Sequence, residues 1–406
     1  MTRRRTNSVC IAAFSSLVLI ATTALAGVPP STLLQKTAPQ ISGTELAAME
    51  RDRVLKLAGE QLPEPPVTIT AYTSSRSAGG PHDYFSEGDY WWPDSANPDG
   101  PYIRRDGLSN PGNFVKHREV MFRLCTAVSS LAAAYKLTRD EEYAAHAVRH
   151  LKAWFVDEST MMFPRLLYAQ AVKGRFTGRG IGIIDTIHLI EVARSIEVLS
   201  GSASFSAADL AAVKRWFAEY LHWLITHKYG IEERDAKNNH GTWWVAQVAA
   251  FAHLAGDSVM LAYCRSRFSG VLLPTQMALE GGFSLELQRT KPYSYSIFNL
   301  EGMTTICQIL SVRGKSLWEY TLPDGRSMRR GMEFLFPYLK DRSTWPYARD
   351  VANFDDFPVR HSLLLFGGNA FGDARYLDLW KTLKADPSVP EVLRALPIRQ
   401  PLLWVE

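Results

Sequence analysis

Two short stretches of the 406-residue chain carry side chains suited to moving protons. The first is Lys237-Asn238-Asn239-His240-Gly241-Thr242-Trp243-Trp244, where amides and an imidazole precede a tryptophan pair. Histidine exchanges a proton near neutral pH more readily than any other side chain, and an amide can hold a carboxylate without carrying charge. On their own these residues equally describe a helix start, with asparagine as the cap and an ordinary surface histidine. The second stretch, Arg289-Thr290-Lys291-Pro292-Tyr293-Ser294-Tyr295, sets a basic pair beside two phenols. Arg289 offers a planar fork that matches a carboxylate. A phenol, with an ordinary pKa of about 10, acts as a base only where cations and hydrogen bonds favour its phenolate; Arg289 and Lys291 are the residues expected to do so. If this stretch is extended, Tyr293 points the same way as Tyr295.

A third stretch, residues 83–107, gathers Tyr90, Trp91, Trp92 and Tyr102 with several acids. Aromatic rings of this kind stack on sugars, and they also pin loops to a core. Glu87, Asp89, Asp94 and Asp106 supply enough carboxylates for a glycoside hydrolase, which needs two flanking the scissile bond. His146-Ala147-Val148-Arg149-His150 has helical spacing for a metal pair but lacks the glutamate of the zinc protease helix, so it reads as a solvated helix face. With no Cys-x-x-Cys pair, no metal or other cofactor is expected. Cys125, Cys264 and Cys307 sit in apolar runs and read as small buried hydrophobes.

Most of the chain that must position these residues follows the helical period. Helices are expected over 51–62, 115–137, 184–199, 242–254, 257–268, 300–310, 328–339 and 376–383. Two more open at the box Thr138-Arg139-Asp140-Glu141 and at Ser206. Paired helices with few strand patterns suggest an all-α toroid of antiparallel helix pairs, (α/α)n, and no fixed-period repeat points to a regular solenoid. The long non-helical stretches, 67–113, 161–182, 229–241 and 281–299, are expected at one rim, where long loops in a compact domain carry function.

Arg3, Arg4 and Arg5 precede an apolar run ending at Ala24-Leu25-Ala26, which reads as a secretory signal peptide over 1–26. A leader over 27–45 and one domain over 46–406 are expected to follow, with no later segment apolar for long enough to span a bilayer. The full chain has 45 basic and 41 acidic residues, a net charge of +4. Removing those three arginines leaves 42 against 41, or +1, too balanced for a generally basic nucleic-acid binder.

Asn239-His240, the Arg289-to-Tyr295 stretch with its Phe298-Asn299-Leu300 continuation, the Tyr90-Trp91-Trp92-Pro93-Asp94 loop with Gly100-Pro101-Tyr102 and Arg105-Asp106-Gly107, and Tyr168-Ala169-Gln170-Ala171 with Gly178-Arg179-Gly180-Ile181 together resemble the alginate lyase superfamily. That group comprises polysaccharide lyase family 5 and relatives such as family 38. The Trp-Trp-Pro-Asp loop and the six-residue Arg-to-Tyr spacing are nearer to family 38. The chain departs at Phe163-Pro164-Arg165, where the family has Asn-Pro-Asn, and the departure falls on substrate subsites.

The resemblance implies β-elimination on a 1,4-linked polyuronate, alginate or glucuronan, giving 4,5-unsaturated ends. Tyr295 matches the catalytic tyrosine, which is base and acid when the C5 proton and the leaving oxygen share a ring face. His240 takes over as base when they lie on opposite faces. Asn239 matches the carboxylate-neutralising amide and Arg289 the carboxylate-binding arginine. Substrate contacts are expected from Tyr90, Trp91, Trp92 and Tyr168, and from Gln170, Arg179 and Tyr293. The partner implied is an anionic polysaccharide, met by a monomer in the periplasm or outside the cell. The competing readings are a hydrolase on a similar scaffold and a carbohydrate binder without activity.

Overall fold

A computed structural model describes residues 40–406. The expected signal peptide and most of the expected leader lie outside the described residues. The leader's last residues are helical: Ser42 caps α1 (Gly43–Gln61) by accepting from the Glu45 N–H at 3.2 Å.

The main helices after it are α2 (Lys116–Thr138), α3 (Glu141–Phe155), α4 (Leu189–Leu199), α5 (Ala207–Thr226), α6 (Lys228–Arg234), α7 (Asn239–Ala255) and α8 (Ser258–Arg267). Two single turns follow, α9 (Leu273–Gln276) and α10 (Ser284–Leu287), then α11 (Pro292–Leu310), α12 (Met328–Lys340), α13 (Ser362–Phe371), α14 (Ala374–Thr382) and the short α15 (Pro390–Arg394). Helices α2, α4, α7, α11 and α13 pack one on the next as an inner layer. Around them α1 and α3 lie on α2, α5 and α8 on α7, α12 on α11, and α14 on α13. The expected α/α toroid is the architecture found.

Burial separates the layers. α7 is buried on nearly every face, from Thr242 to Ala252, and α11 from Pro292 to Cys307. Outer helices bury one stripe, such as Met328, Met332, Leu335 and Leu339 on α12, as an amphipathic surface helix must. α2 is long and apolar enough, by length and composition, to cross a membrane, which the sequence expectation did not allow for. Most of its apolar stretch is buried among α1, α3 and α4, so it is the core helix of the fold. Cys125, Cys264 and Cys307 are buried and free.

Several local expectations need correction. Thr138 ends α2 rather than opening α3, and Arg139 takes a left-handed φ of 60°. Asp140 is the cap, accepting from the Glu142 N–H at 3.0 Å. His146 and His150 are not solvated: His150 Nε2 lies 3.3 Å from His146 Nε2, which faces the Glu64 carbonyl at 2.9 Å. Two presumed loops contain helix. α6 occupies the first part of 229–241, and α11 starts at Pro292, eight residues before the expected position. Proline is compatible with a first helical turn. The Asp350 carboxylate, from far along the chain, accepts from the Tyr293 and Ser294 N–H groups at 2.8 and 2.9 Å and so caps that turn.

The α7–α11 contact sets the spacing of the functional residues and depends on Gly302. A Cβ there would lie 2.9 Å from Thr242 Cγ2 and 3.0 Å from Trp243 Cε2. Overpacking of this kind costs about 1–3 kcal/mol. Gly302→Ala is therefore expected to lower the urea midpoint with an unchanged denaturant slope. A midpoint equal to wild type would show that the helices do not approach so closely.

The strands are few. β1 (Phe85–Glu87) pairs in parallel with β4 (Tyr168–Ala171), and β2 (Trp91–Trp92) pairs antiparallel with β3 (Ile103–Arg104). They tie the long loops to one rim, above the N-terminal ends of α7 and α11.

Candidate active site

A cleft of about 330 Å³ opens at that rim. Asn239 and His240 enter it from the first turn of α7, Ser294 and Tyr295 from the first turn of α11. The positive ends of two helix dipoles therefore face the cavity, an arrangement that favours anions. Gly241 lets α7 start here, since a Cβ would meet the Ala236 carbonyl oxygen at 2.2 Å.

Tyr295 is the centre of a hydrogen-bonded chain. Its hydroxyl lies 2.7 Å from the Tyr90 hydroxyl, and Arg289 Nη2 donates to it at 3.4 Å. Arg394 Nη2, on α15, donates to the Tyr90 hydroxyl at 3.0 Å. Two phenols thus share a hydrogen bond with a guanidinium at each end. Burial pushes the Tyr295 hydroxyl well above the ordinary phenol range, and Tyr90 adds to the rise while Arg289 and Arg394 oppose it. The expected phenolate is not favoured, because the cations are already engaged. Arg289 is bidentate on Asp106 at 3.1 and 3.0 Å, and the Lys291 ammonium is 2.7 Å from Glu391. In the unliganded protein Tyr295 is a protonated acid.

His240 turns Nδ1 to Glu233 Oε1 at 2.7 Å, which leaves Nε2 for the cleft. Burial lowers the affinity of this imidazole for a proton, but Glu233, with Glu286 behind it, outweighs burial and holds the pKa above the ordinary value. Asn239 donates its backbone N–H and its Nδ2 to Glu286 Oε1, at 2.7 and 2.8 Å. An acceptor there turns the amide nitrogen inward, and its second N–H is left to meet a carboxylate.

The opposite wall carries Trp91, Gln170 and Arg179. Gln170 takes a left-handed φ of 49°, held by Ser86 Oγ, which accepts its backbone N–H at 2.8 Å, and by Asp185, which accepts from Nε2 at 3.1 Å. Such strain in a non-glycine residue persists only where its surroundings fix it. Arg179 donates to the Gln170 backbone and side-chain oxygens and pairs with no carboxylate among the described residues. Burial and the nearby Arg104 pull its guanidinium down to about 10, a cation short of counter-charge that a substrate carboxylate would restore.

Of the residues expected from sequence, Tyr295, His240, Asn239, Arg289, Tyr90, Trp91, Gln170 and Arg179 line this one cleft. Tyr293, Trp92 and Tyr168 do not. On a helix, residues two apart diverge by about 200°, so Tyr293 turns into the core, where its hydroxyl donates to the Tyr338 carbonyl at 2.9 Å. Trp92 binds the Leu108 carbonyl through Nε1 at 2.9 Å, outside the cleft wall. Tyr168 is half-buried in β4 and packs beside Gly79. Five residues had no sequence signal: Asp106 as partner of Arg289, Glu233, Glu286, Glu391 and Arg394.

Three of the carboxylates proposed for hydrolysis are committed as counter-ions, and the fourth, Asp94, lies off the cleft. Asp89 is held by Arg118 at 2.9 and 2.7 Å and by Arg394, and these cations overcome burial and depress its pKa. Burial raises the Asp106 carboxyl, but Arg289, Thr290 and Arg104 bring it down to about 2. Glu87 accepts from the Phe114 N–H and pairs with Arg76, both at 2.7 Å. Asp94 accepts from the Ala96 N–H at 3.0 Å and does not line the cleft. A hydrolase needs one carboxyl kept protonated as the acid, whereas Asp89 and Asp106 are both held in the ionised form by their arginines. Among the described residues no cluster of three metal-ligating side chains occurs.

A toroid rim that brings together a protonated phenol, an imidazole and Arg179, a cation with no carboxylate partner among the described residues, points to a polysaccharide lyase. The comparisons agree. The Alginate lyase family model matches residues 68–345. A crystallised alginate lyase from Bacteroides ovatus is 31% identical over 90% of this chain and 98% of its own, with a TM-score of 0.77. Alginate lyase A1-III from Sphingomonas species A1 shares the fold at 15% identity, with a TM-score of 0.56 over 92% of this chain and 98% of its own. No curated protein sequence matches significantly. The chain belongs to the alginate lyase family.

Proposed function

We propose that the protein cleaves a 1,4-linked polyuronate, alginate or glucuronan, by β-elimination. The observation that carries this is the convergence of Tyr295, His240, Asn239 and Arg289 on one cleft. Alginate lyase A1-III, which shares the fold, has been solved complexed with a tetrasaccharide, which supports an oligosaccharide as the ligand.

Removing the C5 proton builds a second negative charge on the uronate carboxylate. Fixed donors must stabilise that charge as it develops. The free N–H of Asn239, the guanidinium of Arg289 and the two helix ends serve that purpose. Where the C5 proton lies opposite the leaving oxygen, His240 Nε2 takes it while the Tyr295 hydroxyl protonates the C4 oxygen. Where both lie on one face, Tyr295 does both jobs, and its proton must first move off. That proton must leave to solvent in the open cleft, since Tyr90 is itself a phenol whose other neighbour, Arg394, only donates; the phenolate left behind would accept from Tyr90.

Carboxylates rather than hydroxyls should dominate recognition, since Arg179 pairs with no carboxylate among the described residues and the mature net charge is nearly zero. A polymer whose carboxyl groups have been reduced to alcohols is expected neither to bind tightly nor to yield the ultraviolet-absorbing double bond that the native polymer yields. Comparable turnover on both would overturn the proposal. Export, with cleavage after Ala26, action as a monomer and a substrate met in the periplasm or outside the cell belong to the same reading. Export rests on the Arg3–Arg5 and Ala24-Leu25-Ala26 pattern.

A further inference from the structure

We propose that Glu233 is a positioning residue for the imidazole base: it holds His240 by Nδ1, presents Nε2 to the substrate, and so governs cleavage of linkages whose proton and leaving oxygen lie on opposite faces. This rests on the polyuronate lyase reading above.

Glu233 has 1% of its side chain exposed, and its Oε1 is 2.7 Å from His240 Nδ1. Its second oxygen is buried with no hydrogen-bond partner. A buried carboxylate is costly unless paired, and here its polar pairing rests on one ring nitrogen. When Nε2 takes the C5 proton, the ring becomes an imidazolium with Nδ1–H still pointed at the carboxylate. Glu233 thus stabilises the product of proton transfer and not only the starting tautomer. An orienting carboxylate does the same for the histidine of a serine protease.

The carboxylate has little freedom to withdraw. It sits on α6, which is pressed against the end of α5 so closely that a Cβ on Gly230 would lie 1.9 Å from the Leu224 carbonyl oxygen. Tyr229, on the same helix, donates its hydroxyl to the Gly178 carbonyl at 2.9 Å, next to Arg179 of the cleft wall. The charged groups facing the imidazole are Glu233 from α6, Glu286 from α10 and Arg289 from the turn before α11. Glu286 is engaged by Asn239 and Arg289 by Asp106, so Glu233 alone meets the ring directly.

The test compares wild type with Glu233→Gln and Glu233→Asp. ¹⁵N imidazole spectra, with His240 assigned by its loss in His240→Ala, should show an Nδ1–H tautomer in the wild type. Its titration midpoint should fall by about one pH unit in Glu233→Gln, a tenfold change in proton affinity. On opposite-face linkages Glu233→Gln should lower kcat about 10–100-fold with little change in KM. On same-face linkages the loss should be below about threefold, and Glu233→Asp should recover part of the difference. An Nε2–H tautomer in the wild type, an unmoved midpoint, or equal losses on both linkages would overturn the proposal. The spectra need no substrate. A protein without lyase activity would sink the functional reading and leave the tautomer result standing, and the wild-type spectrum remains decisive if a variant fails to fold.

Discussion

Tyr295→Phe is expected to end turnover on every polyuronate while the polymer still binds. The substitution removes one oxygen and leaves the ring, the first turn of α11 and its Asp350 cap in place. In the unliganded cleft that oxygen keeps its proton, and in the proposed mechanism it is the acid for the leaving group and, on same-face linkages, also the base. General acid–base groups contribute about 10²–10⁴-fold, and a group serving twice belongs at the upper end. The measurement is initial rate by ultraviolet absorbance, with binding followed separately by calorimetry. Residual turnover above about a tenth of wild type would remove Tyr295 from the reaction. Tyr293→Phe serves as the contrast. Its hydroxyl is in the core, so its effect should appear as lost stability from the unpaired Tyr338 carbonyl, about 1–3 kcal/mol, with kcat little changed.

His240→Ala is the second large effect, and it should divide substrates. On opposite-face linkages the loss should reach about 10²–10⁴-fold. On same-face linkages it should be smaller, because there the ring only lines the site. The wild-type pH profiles should differ in the same way. A base must be unprotonated to act. The pKa of His240 is held above the ordinary 6.5, so opposite-face cleavage should rise with pH through a midpoint on the alkaline side of that value. Same-face cleavage requires the Tyr295 proton to leave, and burial holds that pKa far higher. Its rise with pH should therefore come later. Coincident profiles on pure mannuronate and guluronate blocks would contradict the division of labour.

The architecture was legible because outer helices such as α12 carry one apolar stripe at the 3.6-residue period, while α7 and α11, buried all round, are apolar for longer than a strand runs. The starts of α7 and α11 were not. Polar residues such as Asn238, Asn239 and Ser294 look like loop, and what makes the second of these turns helical is a cap from Asp350 that no local window contains. That one misplacement also misdirected Tyr293, since the extended reading paired two tyrosines that a helix sends apart. The proton-moving residues were legible from their types and from the family likeness. Their partners were not: Glu233 and Glu286 look like ordinary surface charges until the fold buries them, and nothing local ties Asp106 to Arg289 or Arg394 to Tyr90. Arg394 also lies beyond the segment that the family model matches.

The place of Arg394 has a consequence for biogenesis. The hydrogen bonds that join Tyr295 to Tyr90 are completed from α15, a short helix made after every element of the toroid's inner layer. During synthesis the ring can therefore assemble around α7 and α11 while Tyr90 and Asp89 still lack their arginine. Tyr90 and Asp89 gain that partner only when this late segment docks across the rim. A chain that stopped before α15 would leave the Asp89 carboxylate with Arg118 alone and the Tyr90 hydroxyl with Tyr295 alone.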